Sequence, residues 1–159
     1  MLKRRHREGK TNYHKRLRAV SSAMPRLVVR KSLKNISAQL ISYAPEGDRV
    51  VLSATTKELQ KKYGWEGARR NTSAAYLTGY LLSIKARKAN IKKAVFDIGM
   101  QSIVKGSILF GCLKGAIDGG MDIPHKESIF PSQERVEGKH LKQSLFHTIK
   151  GKIEADMKK

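Results

Sequence analysis

Three glycines, Gly111, Gly115 and Gly119, recur at every fourth residue between positions 107 and 120. In a helix that spacing stacks them along one side, because residues four apart sit about one turn above each other. Leu109, Leu113, Ala116 and Ile117 make an apolar inner face, so the stretch reads as a helix opened by Gly106 or Ser107 and ended at Gly119-Gly120. A bare glycine side lets a sheet or another backbone approach closely, and packing explains it better than catalysis. The chain must therefore fold so that something lies against this helix.

The rest of the body supplies the candidates. Residues 26–32 (RLVVRKS) and 36–43 (ISAQLISY) are strand-like runs separated by a basic turn at 33–35. In the second run Ile36, Ala38 and Leu40 alternate with Ser37, Gln39 and Ile41, the period of a half-buried strand. After a turn at 44–48, residues 49–54 (RVVLSA) form a third, and the three read as an antiparallel meander. Thr55 and Glu58 have capping-box spacing and start a short helix that Gly64 breaks. Residues 71–88 form the strongest helix pattern, with Asn71 or Thr72 as cap and Ala74, Leu77, Leu81 and Ile84 on one stripe. Residues 94–98 (AVFDI) then read as a short buried strand completing a βαβ-type crossover. Residues 121–138 read as a loop, and an amphipathic helix is expected from about His140 to Met157, carrying Leu141, Leu145, Ile149 and Ile153. Strands first antiparallel and then alternating with helices imply an α/β fold with a mixed, helix-covered sheet.

Charge divides the chain differently. Its 33 Lys and Arg face 13 Asp and Glu, a formal +20. Residues 1–34 hold twelve of the cations and one acid, Glu8, a net +11, which leaves +9 for the other 125 residues. Residues 1–24 therefore read as a basic arm, 25–138 as the body and 139–159 as the C-terminal helix. Within the arm, residues 3–10 (KRRHREGK) lack apolar periodicity and are expected to be extended or disordered when alone. Thr11 is placed to cap a short helix in which Tyr13, Leu17 and Val20 share a stripe. A solubilising surface would intersperse both signs, and a membrane-binding segment would need a larger apolar face. Arginine forks match phosphate oxygens and stack on bases, which favours RNA or DNA as the partner. The longest uncharged run, 71–84, has 14 residues, short of the roughly 20 of a membrane span, and the basic start lacks the apolar core of a secretory signal. One cysteine, Cys112, closes no internal disulfide and points to a reducing compartment.

Catalytic groups are scarce. Asp97 ends a strand where mixed-sheet nucleases hold a metal-binding acid, but no second acid ends a strand, and two-metal chemistry needs several. A turn role suits it better. Cys112 lies among Leu, Phe and Gly as an inert thiol would, His125 and His140 lack a nucleophile or orienting acid nearby, and no phosphate-binding loop is present. No catalytic residue, metal or cofactor is assigned. A metal-dependent nuclease and a nonspecific polyanion binder are the competing classes.

Several long blocks then narrow the choice: RRHREGKTNYHKRL at 4–17, PRLVVRKSLKNISAQLI at 25–41, YGWEGARRNTSAAYLTGYL at 63–81, AVFDIG at 94–99, GSILFGCLKGAIDGGMDIPH at 106–125 and RVEGKH at 135–140. In this order they resemble the large-subunit ribosomal protein L-eighteen family, in its archaeal and eukaryotic branch, which binds 5S rRNA. The resemblance implies a three-layer α/β/α body of the translational-machinery-component type with a basic N-terminal arm. It also implies a structural place in the central protuberance of the large subunit of cytoplasmic ribosomes. Its partners there would be 5S rRNA, 23S rRNA and neighbouring ribosomal proteins, with no membrane and no small-molecule substrate. Carried onto this sequence, the RNA-contacting set is Lys3, Arg4, Arg5, Arg7, Lys10, Thr11, Tyr13, Arg16 and Arg18 from the arm, Arg26, Arg30, Lys31, Asn35 and Gln39 from the first hairpin, and Arg69, Arg70 and Asn71. Asn12 stands where the family pattern has Asp, and Ile108 where a basic residue is usual. Deleting residues 1–20 should leave the body folded, as judged by circular dichroism, while RNA affinity in a filter-binding assay drops by orders of magnitude.

Overall fold

The computed structural model describes residues 4–139 and 145–158. Lys3, His140 and Leu141 lie outside the described residues. The elements are α1 (Arg4–Arg7), α2 (Tyr13–Ser21), β1 (Arg26–Lys31), β2 (Ile36–Ser42), β3 (Arg49–Thr55), α3 (Thr56–Tyr63), α4 (Thr72–Lys88), β4 (Val95–Asp97), α5 (Ile108–Asp118), a 3₁₀ turn (Glu127–Ile129), α6 (Gln133–Glu137) and α7 (Phe146–Lys158).

The meander and the crossover both form. Strand order is β3-β2-β1-β4, with β1 antiparallel to β2, β2 antiparallel to β3 and β4 parallel to β1. The architecture is α/β with a mixed sheet. Register puts Leu27, Val29, Ile36, Ala38, Leu40 and Ala54 on one face, all buried. Arg26, Val28 and Arg30 alternate onto the other face beside Ser37, Gln39 and Ile41. Helices α4 and α5 cover the first face, α3, α6 and α7 lean on α4, and the arm stands over the second face.

The partner of the glycine side is a helix. Gly111 lies against Thr72, Gly115 against the Tyr76 carbonyl and Gly119 against Ser83, so α4 and α5 run parallel with their backbones in contact. Gly79 of α4 returns the contact against the Cys112 carbonyl. Fourteen of the seventeen α4 residues are buried, because this helix is enclosed by α5, the sheet and α7. Its start is set by Asn71, whose side chain accepts the Ala74 amide at 2.7 Å.

Helix α7 is held by tyrosines. Tyr63 donates to Asp156 at 2.9 Å and Tyr80 to Glu154 at 2.8 Å, while Ile149 and Ile153 enter the core. Burial first, and then the hydrogen-bonded carboxylate, pushes the Tyr63 hydroxyl up and the Tyr80 hydroxyl up to about 12.

Some expectations are corrected. Residues 4–7 form one helical turn rather than an extended segment, because Glu8 pairs with both Arg4 and Lys10 at 2.7 Å and relieves the local repulsion. Asn12, not Thr11, caps α2, accepting the Lys15 amide at 3.1 Å. Of the Tyr13–Leu17–Val20 stripe only Leu17 is exposed, while Asn12, Lys15, Arg16 and Ala19 border the cleft between α2 and the sheet. The segment read as a loop contains the 3₁₀ turn and α6, which buries Val136 and ends at Gly138 with φ 72°. Helix α7 begins at Phe146, so Leu145 precedes it.

Two tests follow from the packing. Gly115→Ala drives a Cβ into the Tyr76 carbonyl and should destabilise the fold by about 3 kcal/mol or more. Gly151→Ala meets open space in α7 and should stabilise by roughly 0.5–1 kcal/mol; urea unfolding of both variants checks the contrast. The tyrosine clamp has a pH signature. Because the Tyr80 pKa is higher folded than the unfolded value near 10, its contribution is complete below pH 10 and is lost as pH rises through about 12. The difference in melting temperature between wild type and Tyr80→Phe should therefore shrink from pH 9 to pH 12.

Candidate nucleic-acid interface

The outer sheet face is built on shared carboxylates. Parallel pairing of β4 with β1 sets Asp97 beside Val28, between Arg26 and Arg30. Asp97 accepts from Arg26 at 3.1 Å through Oδ2 and from Arg30 at 3.2 Å through Oδ1. Arg30 also donates to the Asp97 carbonyl at 2.8 Å, and the Gly99 amide closes the turn onto Oδ1 at 2.7 Å. Gly99 sits at φ 68°, and a Cβ there would reach 3.0 Å from the Arg30 guanidinium, so glycine is what lets that side chain lie over the turn.

Asp48, after the β2–β3 turn, extends the arrangement to the arm. It takes Arg26 at 2.6 Å and Arg16 of α2 at 2.9 Å. Five side chains thus alternate in sign: Arg16, Asp48, Arg26, Asp97, Arg30. Their side chains are 38, 22, 5, 20 and 42% exposed in that order, so the middle is buried and both cationic ends face solvent. Between the arm and the sheet lies a cleft of about 710 Å³. Arg5, Lys10, Lys15, Arg16 and Arg30 line it, with Phe96, Ile98 and Ile103 among its apolar walls.

The remaining candidates fall into two groups. In the arm, Arg7 and Arg18 are exposed, Arg4 and Lys10 flank Glu8, and Arg5 donates to Thr11 Oγ1 at 3.1 Å. Tyr13 is half-buried, its ring centroid 6.0 Å from that of His6. At the other end of the sheet, Asn35 closes the β1–β2 turn on Ser32, and Arg70 reaches the Leu33 carbonyl at 3.5 Å. Lys31 and Lys57 border a hollow of about 230 Å³ there. Gln39 lies half-buried on the outer face opposite Val28. Arg69 donates to Gln60 at 2.9 Å, pointing along α3, and the Asn71 side chain is occupied in capping α4. Arg26 is buried between its two acids, so it is a strut of this face rather than a surface group.

The face therefore presents arginine and lysine donors from two sequence-distant segments around one cleft, a geometry suited to a polyphosphate backbone. The family model described as "Ribosomal large subunit proteins 60S L5, and 50S L18" matches residues 1–92 and 84–126. The chain belongs to this family. It is 49% identical over 140 residues to the "Large ribosomal subunit protein uL18" of Aeropyrum pernix, covering 88% of this chain and 65% of that protein. The corresponding protein of Caldivirga maquilingensis is also 49% identical over 140 residues, with 88% of this chain and 68% of that protein covered. The matched part thus spans about two thirds of each relative's length.

Membership in this ribosomal family favours a structural role over the nuclease reading. The side chains considered for catalysis have other roles. Asp97 is an arginine partner, and no group of three or more His, Cys, Asp or Glu that could hold a metal occurs among the described residues. Burial pushes the Cys112 thiol up to about 12, which keeps it an unreactive core group. His125 Nδ1 is 2.7 Å from the Ile123 carbonyl, and its ring packs on Phe130. Among the described residues no helix is long and apolar enough to cross a membrane.

Sequence reasoning missed several members of this face. Lys15 and Lys126 border the cleft, and Lys57 borders the hollow by the β1–β2 turn. Each is one cation among 33, without a motif to mark it. Asp48 and Asp97 had a signal that could have found them, because in a chain this poor in acids each carboxylate is surrounded by potential arginine partners.

Proposed function

We propose that the chain is a structural constituent of the large ribosomal subunit of cytoplasmic ribosomes that binds 5S rRNA and helps attach it to 23S rRNA in the central protuberance, beside other ribosomal proteins. The observation that carries this reading is the joint cleft, where cations of the arm and of the sheet's outer face converge on one concave surface. Family membership supports the ribosomal setting. The sequence-independent part of the binding energy comes from Lys and Arg replacing condensed counterions on phosphates. Discrimination comes from shape, since the sheet arginines occupy fixed positions and the arm settles against one particular RNA contour. The arm's Arg4, Arg5, Arg7, Lys10 and Arg18 supply phosphate contacts, Tyr13 supplies a ring for stacking, and Lys31 and Arg70 extend the contact beyond the first hairpin.

Binding should be strongly salt-dependent. If six to ten phosphates are neutralised, affinity falls by about 10³ to 10⁵ between 50 and 200 mM salt. A competition assay at moderate salt tests specificity: 5S rRNA should displace labelled 5S rRNA well ahead of tRNA. Equal competition by tRNA and other structured RNAs would reduce the protein to a nonspecific polyanion binder.

A further inference from the structure

Carboxylates within a phosphate-binding face repel the ligand, so Asp48 and Asp97 need a reason to be there. The alternating series provides one. Arg16, Arg26 and Arg30 would repel each other if left alone, and the two acids convert that repulsion into four short ion pairs at 2.9, 2.6, 3.1 and 3.2 Å. The arrangement has direction. Its central Arg26 is buried and uses both terminal nitrogens on the acids, while the end members are partly exposed and border the cleft. One end, Arg16, belongs to the arm; the other, Arg30, belongs to the sheet and is further held by the Val29 and Asp97 carbonyls at 2.8 Å.

We propose that Asp48 and Asp97 are positioning residues for RNA recognition, sharing the buried Arg26 so that Arg16 and Arg30 meet the RNA at one fixed separation. This rests on the RNA-binding reading above. A fixed pair of guanidinium forks selects for phosphate spacing, because an RNA whose contour does not match engages one fork and not both. The acids thus trade some affinity for every RNA against discrimination between them. Arg26 acts through the two acids and touches no RNA.

Asp48 gives the cleaner test, because Arg26 keeps Asp97 when Asp48 is changed. The full chain and its Asp48→Asn and Asp48→Glu variants are titrated against 5S rRNA and tRNA, with thermal melts to verify folding. For Asp48→Asn the 5S-to-tRNA affinity ratio should fall by about tenfold, as expected for loss of one charged contact, while tRNA affinity rises because a negative charge has gone. Asp48→Glu should restore most of the ratio. An unchanged ratio, or equal loss for both RNAs, overturns the proposal. A second readout needs no RNA: trypsin cleavage within residues 15–18 should accelerate several-fold in Asp48→Asn and return toward the wild-type rate in Asp48→Glu, and unchanged cleavage also overturns it. If wild type itself fails to prefer 5S rRNA, the proposed function is wrong, and the cleavage rates still decide whether Asp48 holds the arm.

Discussion

The contact between α4 and α5 is the constraint on which the rest depends. Side chains normally keep helix axes 8–10 Å apart, and Gly79, Gly111, Gly115 and Gly119 remove them where the two backbones touch. Each glycine weakens its own helix by roughly 0.5–1 kcal/mol relative to alanine, so the arrangement persists only because the close contact and the burial around it compensate. The parallel course of the two helices follows from the crossover, since α5 comes after β4 and β4 lies parallel to β1. With α4 and α5 together over one sheet face, the apolar demand of the core is met on that side. The opposite face is left to carry charge.

What happens on that face is decided by scarcity. The 13 acids cannot neutralise 33 bases, so where the few carboxylates stand determines which arginines are rigid and which are free. Asp48 and Asp97 sit where β2, β3 and β4 deliver them beside β1, and the arginines they hold acquire fixed positions. Glu8 does the same on a smaller scale in the arm, turning a repelling run into one helical turn. Exposed ion pairs such as Arg4–Glu8 contribute little to stability. Their effect is on conformation.

Much of this was legible in the sequence for a physical reason: it is local. Periodicity and capping identified β1, β2, β3, α3 and α4 nearly to the residue, because Thr55, Gly64 and Asn71 act on their own neighbours. Gly111, Gly115 and Gly119 announced a close approach but not its partner, since the residues that meet them, Thr72, Tyr76 and Ser83, lie 36 to 39 positions earlier. The outer face was less readable. Arg26 has the composition of an RNA contact and the environment of a buried strut, and only the pairing of β1 with β4, 71 residues apart in the case of Arg26 and Asp97, tells the two apart. The α2 stripe has a similar limit: it marks Tyr13, Leu17 and Val20 as one side of a helix, but the ion pair of Arg16 with Asp48 that joins this helix to the body involves a residue 32 positions away.

The two ends of the chain are attached by different physics, and this suits a protein whose core is made independently of its arm. Helix α7 is bound by apolar burial and by neutral hydroxyls donating to carboxylates, interactions that salt barely screens. The arm meets the body through a charge contact between groups that are partly exposed, which salt weakens. An RNA therefore finds a rigid sheet bearing Arg30 and an arm whose internal contact is of the same chemical kind as the contacts it will make. Arg16 keeps its pairing with Asp48 and offers its exposed part to a phosphate, so the contact that positions the arm persists as the RNA binds.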